Sequence, residues 1–111
     1  EPIWLLDLLK GGFAALFFAG DSVAAHLADD LARLAEGPVP IRAAIVARRA
    51  PAAPLKVTVA LDETGMAFER YAALPGTFVL FRPDQHVCFR ARGFEPTAVR
   101  RALARALGKT P

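Results

Sequence analysis

Sulfur is scarce in this sequence, which contains one cysteine, Cys88, among 111 residues. One thiol cannot form a disulfide within the chain, and thiol–disulfide exchange normally uses a Cys-x-x-Cys pair with a lowered pKa. The sequence therefore excludes a dithiol redox site, and a single thiol is compatible with a reducing, cytoplasmic environment. We interpret Cys88, which stands between Val87 and Phe89, as a small apolar residue of a strand.

The residue clusters that bind metals and nucleotides are also missing. His86, Cys88 and Arg90 are predicted to share one face of a strand, but a zinc site needs two more ligands. A dinucleotide site would need a Gly-x-Gly-x-x-Gly turn, and no three of the eight glycines have that spacing. We therefore expect no catalytic, cofactor-binding or metal-binding residue in this chain.

No apolar run is long enough to cross a membrane, which takes about 20 residues. Asp7, Lys10 and the pair Gly11–Gly12 interrupt the apolar start of the chain, and its acidic first residue is atypical of a signal peptide. We expect residues 1–12 to form a lead-in segment and no part of the chain to bind a membrane.

Methionine is nearly absent, since Met66 is the only one and residue 1 is Glu. We therefore expect residues 1–111 to be one domain from the C-terminal end of a longer chain, with its core over residues 13–108. Hydrophobic residues make up 54% and charged residues 23% of the chain, which is typical of a folded domain rather than a disordered one.

Acidic residues are few after residue 81, where the sequence has seven Lys or Arg residues and two acidic residues, Asp84 and Glu95. Arg101, Arg105 and Lys109 are predicted to form a basic stripe on the last helix. Cations near a helix C-terminus interact favourably with the helix dipole, by roughly 0.3–1 kcal/mol each. Nucleic-acid binding would call for exposed aromatic residues or a known motif as well, so we expect no nucleic-acid partner.

His26 and Asp30 form the one candidate acid/base pair. They stand four residues apart, at the edge of the apolar face of a predicted helix. A hydrogen bond at the helix edge is the interpretation we favour, because general base catalysis also needs a positioned substrate.

Apolar periodicity and turn residues predict an alternation of strands and helices. The strands are predicted over residues 13–19, 41–47, 77–81 and 86–91, with a shorter extended piece over 57–61. The first helix is predicted over 22–35, with Asp21 as its cap and an apolar face of Val23, Leu27, Leu31 and Leu34. A short second helix is capped by Asp62 and runs through Met66 to about Leu74, and the last helix begins at Pro96 with an apolar face of Val99, Leu103, Ala106 and Leu107. The first two strands flank a helix and should be parallel, whereas the last two form a hairpin. The predicted class is α/β, a mixed central sheet with helices on both faces.

This element order resembles the thioredoxin fold, although the place of its thiols reads Ala19-Gly20-Asp21-Ser22-Val23. The second half of the chain resembles thioredoxin-like and peroxiredoxin-like proteins in its general sequence pattern. The resemblance lies in the segment around Tyr71 and Pro75 and in the run that follows it, Leu80-Phe81-Arg82-Pro83-Asp84-Gln85-His86-Val87. This run is similar, more closely, to the C-terminal thioredoxin-like domain of FAD-dependent aromatic-ring hydroxylases of the phenol hydroxylase type. That family usually has glycine where Gln85 stands, and thioredoxins place Thr directly after a cis-proline, whereas Gly76 intervenes here.

The resemblance implies a non-catalytic accessory domain of a flavoprotein monooxygenase, which would bind FAD and NAD(P)H in its other domains. The partners would be those FAD-binding and substrate domains, and a second copy in a homodimer. The family-motif residues, with structural roles only, would be Tyr71, Pro75, Arg82, Pro83, Asp84 and His86. A free-standing thioredoxin-like or peroxiredoxin-like binding protein without redox thiols is the alternative, and a cis bond before Pro75 is left open.

Overall fold

The computed structural model describes residues 11–20, 23–37, 39–51 and 55–108, and these form five strands and three α-helices. The elements are β1 (Phe13–Phe18), α1 (Ala25–Ala32), a 3-10 helix (Arg33–Glu36), β2 (Ile41–Ala47), β3 (Thr58–Leu61), α2 (Met66–Arg70), β4 (Phe78–Phe81), β5 (Val87–Ala91) and α3 (Pro96–Ala106). The order of strands and helices follows the sequence prediction, including the short third strand.

The five strands make one mixed sheet in the order β3-β2-β1-β4-β5. β1 pairs in parallel with β2, and β2 pairs in parallel with β3. β4 runs antiparallel to both β1 and β5. The expected α/β class with a mixed sheet is confirmed.

β1 is the centre of the core because both of its faces are covered. All six of its residues are buried, which explains its unbroken apolar run. Phe17 points to the face on which α1 and α3 pack through Leu31 and Val99. Phe18 points to the opposite face, where α2 packs, and its ring meets that of Phe68 edge-on with the centroids 5.1 Å apart.

α1 begins three residues later than the sequence predicts. Ala24 is extended, with φ −69° and ψ 137°, and the helix starts at Ala25 without a side-chain cap. The predicted cap, Asp21, lies outside the described residues, as does Ser22. The apolar face is as expected: Leu31 is buried, and Leu27 and Leu34 pack against the same cluster.

α2 is one short helix that begins at Met66 and ends before Leu74, the predicted end. Ala72 stops it by adopting the left-handed conformation, with φ 49°. The amide of Ala73 donates to the carbonyl of Phe68 (2.8 Å), and the amide of Ala72 donates to that of Glu69 (3.0 Å). These two bonds close the helix in the manner that usually takes a glycine at the left-handed position.

α3 carries a cap that the sequence prediction missed. Glu95 accepts hydrogen bonds from the amides of Thr97 (3.0 Å) and Ala98 (2.8 Å), ahead of Pro96 at the first helical turn. These amide donors lower the pKa of the Glu95 carboxyl. The buried face of α3 consists of Val99 and Ala102; Ala106, which was predicted to belong to it, is exposed.

Candidate binding site at the carboxyl end of strand β1

The carboxyl end of β1 is the place where a redox member of this architecture would carry its thiols, at the strand end before a helix N-terminus. The backbone there is held from two sides. Ala19 donates from its amide to the carbonyl of Val46 (2.9 Å) on β2. The amide of Phe18 donates to the carbonyl of Thr77 (2.8 Å), and the amide of Gly76 donates back to the carbonyl of Phe18 (2.7 Å). The segment before β4 is thereby fixed beside the end of β1.

An open cavity of about 350 Å³ lies at this end of the sheet. Its lining residues are Ala19, Gly20, Arg48, Phe68, Ala73 and Pro75. Gly20 and Pro75 face one another, because a Cβ placed on Gly20 would lie 3.4 Å from the Cβ of Pro75. The described lining contains no sulfur and one charged side chain, Arg48. Its chemistry is that of a small binding pocket with a cation, not of a redox centre.

Arg48 comes directly after β2 and lies over Gly65. A Cβ on Gly65 would stand 3.0 Å from Nη1 and 3.1 Å from Cζ of Arg48, so a side chain at this position would push the exposed guanidinium aside by a few tenths of an ångström. Gly65 also has φ +78°, a left-handed conformation that favours glycine. Nη2 of Arg48 reaches the carbonyl of Glu63 at 3.5 Å. Within the described ranges no carboxylate pairs with Arg48.

Asp62 does not line the pocket, but it holds Phe68, which forms one of the pocket walls. Its side chain is buried, at 4% exposure, and Oδ2 accepts a hydrogen bond from the amide of Phe68 (3.0 Å). Its own amide donates to the carbonyl of Ala47 (2.7 Å). Asp62 therefore does cap α2, as predicted, but from four residues before its first helical residue, and it holds Phe68 against the end of β1.

Cys88 stands two strands away from this site, on β5. The pairs Leu80–Phe89 and Phe81–Val87 leave Cys88 as an extra residue, a β-bulge. Cys88 and Phe89 consequently both pack against the cluster on the α1/α3 face. Burial raises the pKa of the Cys88 thiol above its usual value, which disfavours the reactive thiolate.

The bulge also corrects the expectation that His86, Cys88 and Arg90 share one face. Arg90 pairs with Val79, whose side chain belongs to the cluster on the α2 face. Its guanidinium donates to the carbonyls of Tyr71 (2.6 Å) and Ala72 (2.8 Å). Arg90 therefore closes the C-terminus of α2 from the face opposite Cys88, because the extra residue reverses the alternation of the strand.

Four of the six family-motif residues come together in the β4–β5 turn. Arg82 binds Asp84 through two hydrogen bonds, Nε to Oδ1 (3.1 Å) and Nη2 to Oδ2 (2.7 Å). The amide of His86 donates to Oδ1 of Asp84 (3.2 Å), and Nδ1 of His86 lies 3.3 Å from Oδ2 of Asp84. Hydrogen bonding from Arg82 lowers the pKa of Asp84 to about 2. Pro83 lies between the two paired residues, and all of these side chains are exposed at the tip of the hairpin.

The other two motif residues lie elsewhere. The ring of Tyr71 packs between Phe18 and Phe81, with centroids 6.1 and 5.7 Å away. Pro75 lines the pocket at the end of β1, and its peptide bond is trans, since the described chain contains no cis bond. The motif therefore supports the hairpin and the core and does not form one site.

The remaining sequence candidates do not form a site either. The carboxylate of Asp30 accepts a hydrogen bond from Arg33 (3.2 Å), and no bond joins it to His26, which is exposed; the predicted His26–Asp30 hydrogen bond is wrong. Arg101 and Arg105 are exposed on α3, while Lys109 lies outside the described residues. Among the residues that the structure describes, no three His, Cys, Asp or Glu side chains are grouped to hold a metal ion.

No helix in the described ranges is long and apolar enough to cross a membrane.

Comparison with known proteins identifies the fold but no family. No family model and no curated protein matches the sequence. Among solved structures, the chain is similar to a secreted Mycobacterium tuberculosis disulfide oxidoreductase homologous to Escherichia coli DsbE, with 19% identity over 87% of this chain and 84% of that one, and a TM-score of 0.65. The chain is also similar to a putative thiol:disulfide interchange protein DsbE from Chlorobium tepidum, with 20% identity over 93% of this chain and 85% of that one, and a TM-score of 0.65.

A third similar structure is the bacterioferritin comigratory protein of Xanthomonas campestris, studied for alkyl peroxide reduction, with 13% identity over 93% of this chain and 81% of that one, and a TM-score of 0.66. These likenesses show a thioredoxin-like fold, as expected, and here it lacks a Cys-x-x-Cys pair. They correct the expected classification as a flavoprotein aromatic hydroxylase: these three similar structures are disulfide oxidoreductases and a peroxiredoxin-like protein, not FAD-dependent hydroxylases.

Proposed function

We propose that this chain is a thioredoxin-fold binding domain that recognises a partner at the carboxyl end of β1 without thiol–disulfide exchange. One observation carries the proposal: the pocket at this strand end holds Arg48 and no sulfur among its described lining residues, while the single thiol, Cys88, stands on β5. A fold that presents this end of the sheet to a partner can bind there without any covalent step.

The lining residues favour a peptide that carries a carboxylate beside an apolar side chain. Arg48 lies over Gly65 and has no carboxylate partner among the described residues, and its planar guanidinium suits a carboxylate with two parallel hydrogen bonds. Phe68 and Pro75 offer apolar walls on either side. Because Arg48 is exposed, the contribution of this ion pair is modest, and we expect binding in the range that suits a transient partner.

The redox half of the proposal is tested by insulin reduction in dithiothreitol and by peroxide consumption. We expect the wild-type chain and Cys88→Ser to give the same background rates in both assays, because the thiol is partly buried and its pKa is raised. Turnover above background that Cys88→Ser abolishes would contradict the proposal.

The binding half is tested with a capped Phe-Glu-Phe peptide titrated into the 15N-labelled chain. We expect the largest amide shifts at Ala19, Gly20 and Ala73, and weaker binding for Arg48→Met and for a Phe-Gln-Phe peptide. Arg49→Met is the matched control, since Arg49 is the next residue, is equally exposed and does not line the pocket. Equal effects of the two Arg variants would refute the role of Arg48.

A further inference from the structure

A second cavity, of about 390 Å³, lies between α1 with its 3-10 helix and α3, on the face of the sheet opposite α2. Its floor is apolar and includes Leu34, Val99 and Leu103. It is separate from the β1 pocket, because it is lined by Ile41, the first residue of β2, whereas Arg48 follows the last. The seven residues of β2 place the two sites roughly 20 Å apart along the strand.

The charges at the mouth of this groove are unequal. Asp30, Arg33 and Arg100 all line it, and the carboxylate of Asp30 is already paired with Arg33 at 3.2 Å. Arg100 is exposed, and no described residue forms an ion pair or a hydrogen bond with it. Two guanidiniums against one carboxylate give the described lining an excess positive charge, and Arg100 is the guanidinium without a partner among the described residues.

The size and shape of the groove favour a small molecule over a partner helix. A cavity of this volume falls within the range of small-ligand pockets, about 300–1,000 Å³. A docked helix would need an extended stripe of exposed apolar anchors. Of the large apolar side chains exposed in the described chain, Leu107 (39%) lines this groove and the rest lie elsewhere. The apolar surface is therefore a local cavity with two basic residues at its mouth, of which Arg33 is paired with Asp30.

We propose that this groove binds a small amphipathic carboxylate, with its apolar body against Leu34 and Leu103, above the buried Val99, and its carboxylate on Arg100. The fit has two parts that can be tested apart. The apolar floor binds the hydrocarbon part of the ligand, because removing apolar surface from water is favourable. The guanidinium takes the anion by charge-assisted hydrogen bonds, which a neutral head group cannot reproduce in full.

Decanoate and 1-decanol, titrated separately into the 15N-labelled 111-residue chain, test the proposal. We expect decanoate to shift amides in α1, the 3-10 helix and α3 but not those of Ala19 or Gly20, and to bind about tenfold more tightly than decanol. Arg100→Met keeps the apolar stem of the side chain and should weaken decanoate binding about tenfold while leaving decanol unchanged. Arg101→Met, the next residue, is exposed and does not line the groove, so it should change neither.

Ala104→Phe fills the groove and should abolish binding of both probes. If Ala104→Phe does not fold, the comparison of Arg100→Met with Arg101→Met still tests the proposal, because both variants replace exposed side chains and should fold. Equal affinity for decanoate and decanol, equal effects of the two Arg variants, or shifts outside the groove would each overturn the proposal. A groove that takes up neither probe would also overturn it, and would leave this face to a protein partner.

Discussion

Gln85 adopts a left-handed backbone conformation, with φ 70°, in the turn between β4 and β5. The turn needs that conformation: the amide of Gln85 donates to the carbonyl of Arg82 (2.8 Å), and the amide of Arg82 donates to the carbonyl of His86 (2.8 Å). The Gln85 side chain is exposed, and no described residue forms a hydrogen bond with it. Replacing it with glycine therefore removes backbone strain and no native contact.

The expected gain follows from two opposing terms. A non-glycine residue in the left-handed region costs roughly 1–2 kcal/mol. Glycine raises the entropy of the unfolded chain, which offsets about 0.4–1 kcal/mol of that. We expect Gln85→Gly to raise the free energy of unfolding by about 0.5–1 kcal/mol, and Tm by roughly 2–5 °C.

The assay is thermal and urea unfolding followed by circular dichroism. Gln85→Ala is the matched control, because it removes the same side chain but keeps the Cβ and hence the strain; its stability should equal that of the wild type. Ala72 gives an independent replicate, since it is the other non-glycine residue with positive φ in the described chain, and Ala72→Gly should also stabilise. If Gln85→Gly and Gln85→Ala unfold at the same temperature, the reasoning is refuted.

Three further outcomes are expected. Gly76→Ala should destabilise the chain by about 1–3 kcal/mol in the same unfolding assay, because Gly76 has φ +97° and its new Cβ would lie 3.1 Å from the carbonyl oxygen of Arg92; wild-type stability would contradict this. The pKa of Asp84 is lowered to about 2, so its ion pair should stabilise the fold above pH 4 and lose that effect as the pH falls toward 2, and carboxyl titration by NMR should show the pKa return toward 3.8 in Arg82→Met. Because burial raises the pKa of Cys88, its alkylation by iodoacetamide at pH 8 should be slower than that of free cysteine and should accelerate in urea; equal rates would show a reactive thiol.

The sheet could be predicted from the sequence wherever local pattern and long-range packing agree. β1 is an apolar run ended by Gly20, and a strand buried on both faces needs that composition. β2 is apolar apart from the exposed Arg42 near its start, and the charged pair Arg48–Arg49 ends it. The β4–β5 turn was predictable because Pro83 fixes the backbone at its second position. Helix starts were less predictable, since Asp62 caps α2 from outside its first turn through a hydrogen bond to Phe68.

The bulge at Cys88 shows why one face assignment failed. Strand alternation assigns faces correctly only while each residue has one partner on the neighbouring strand. The extra residue is visible only when β5 is aligned with β4, where Leu80 pairs with Phe89 and Phe81 pairs with Val87. Nothing within the five residues of β5 indicates it.

Arg48 was missed for a different reason, and one signal could have found it. The contact of Arg48 with Gly65 joins residues 17 positions apart, so no local pattern contains it. Gly65, however, stood within a predicted helix, where glycine costs about 1 kcal/mol relative to alanine. A glycine at such a position points to a left-handed backbone or a close approach, and here φ is +78° and the guanidinium of Arg48 lies 3.0 Å from where a Cβ would be. The glycine thus marks the residue that carries the charge of the β1 pocket, and Gly65→Ala should shift the guanidinium and weaken binding of the acidic peptide, but by less than Arg48→Met does.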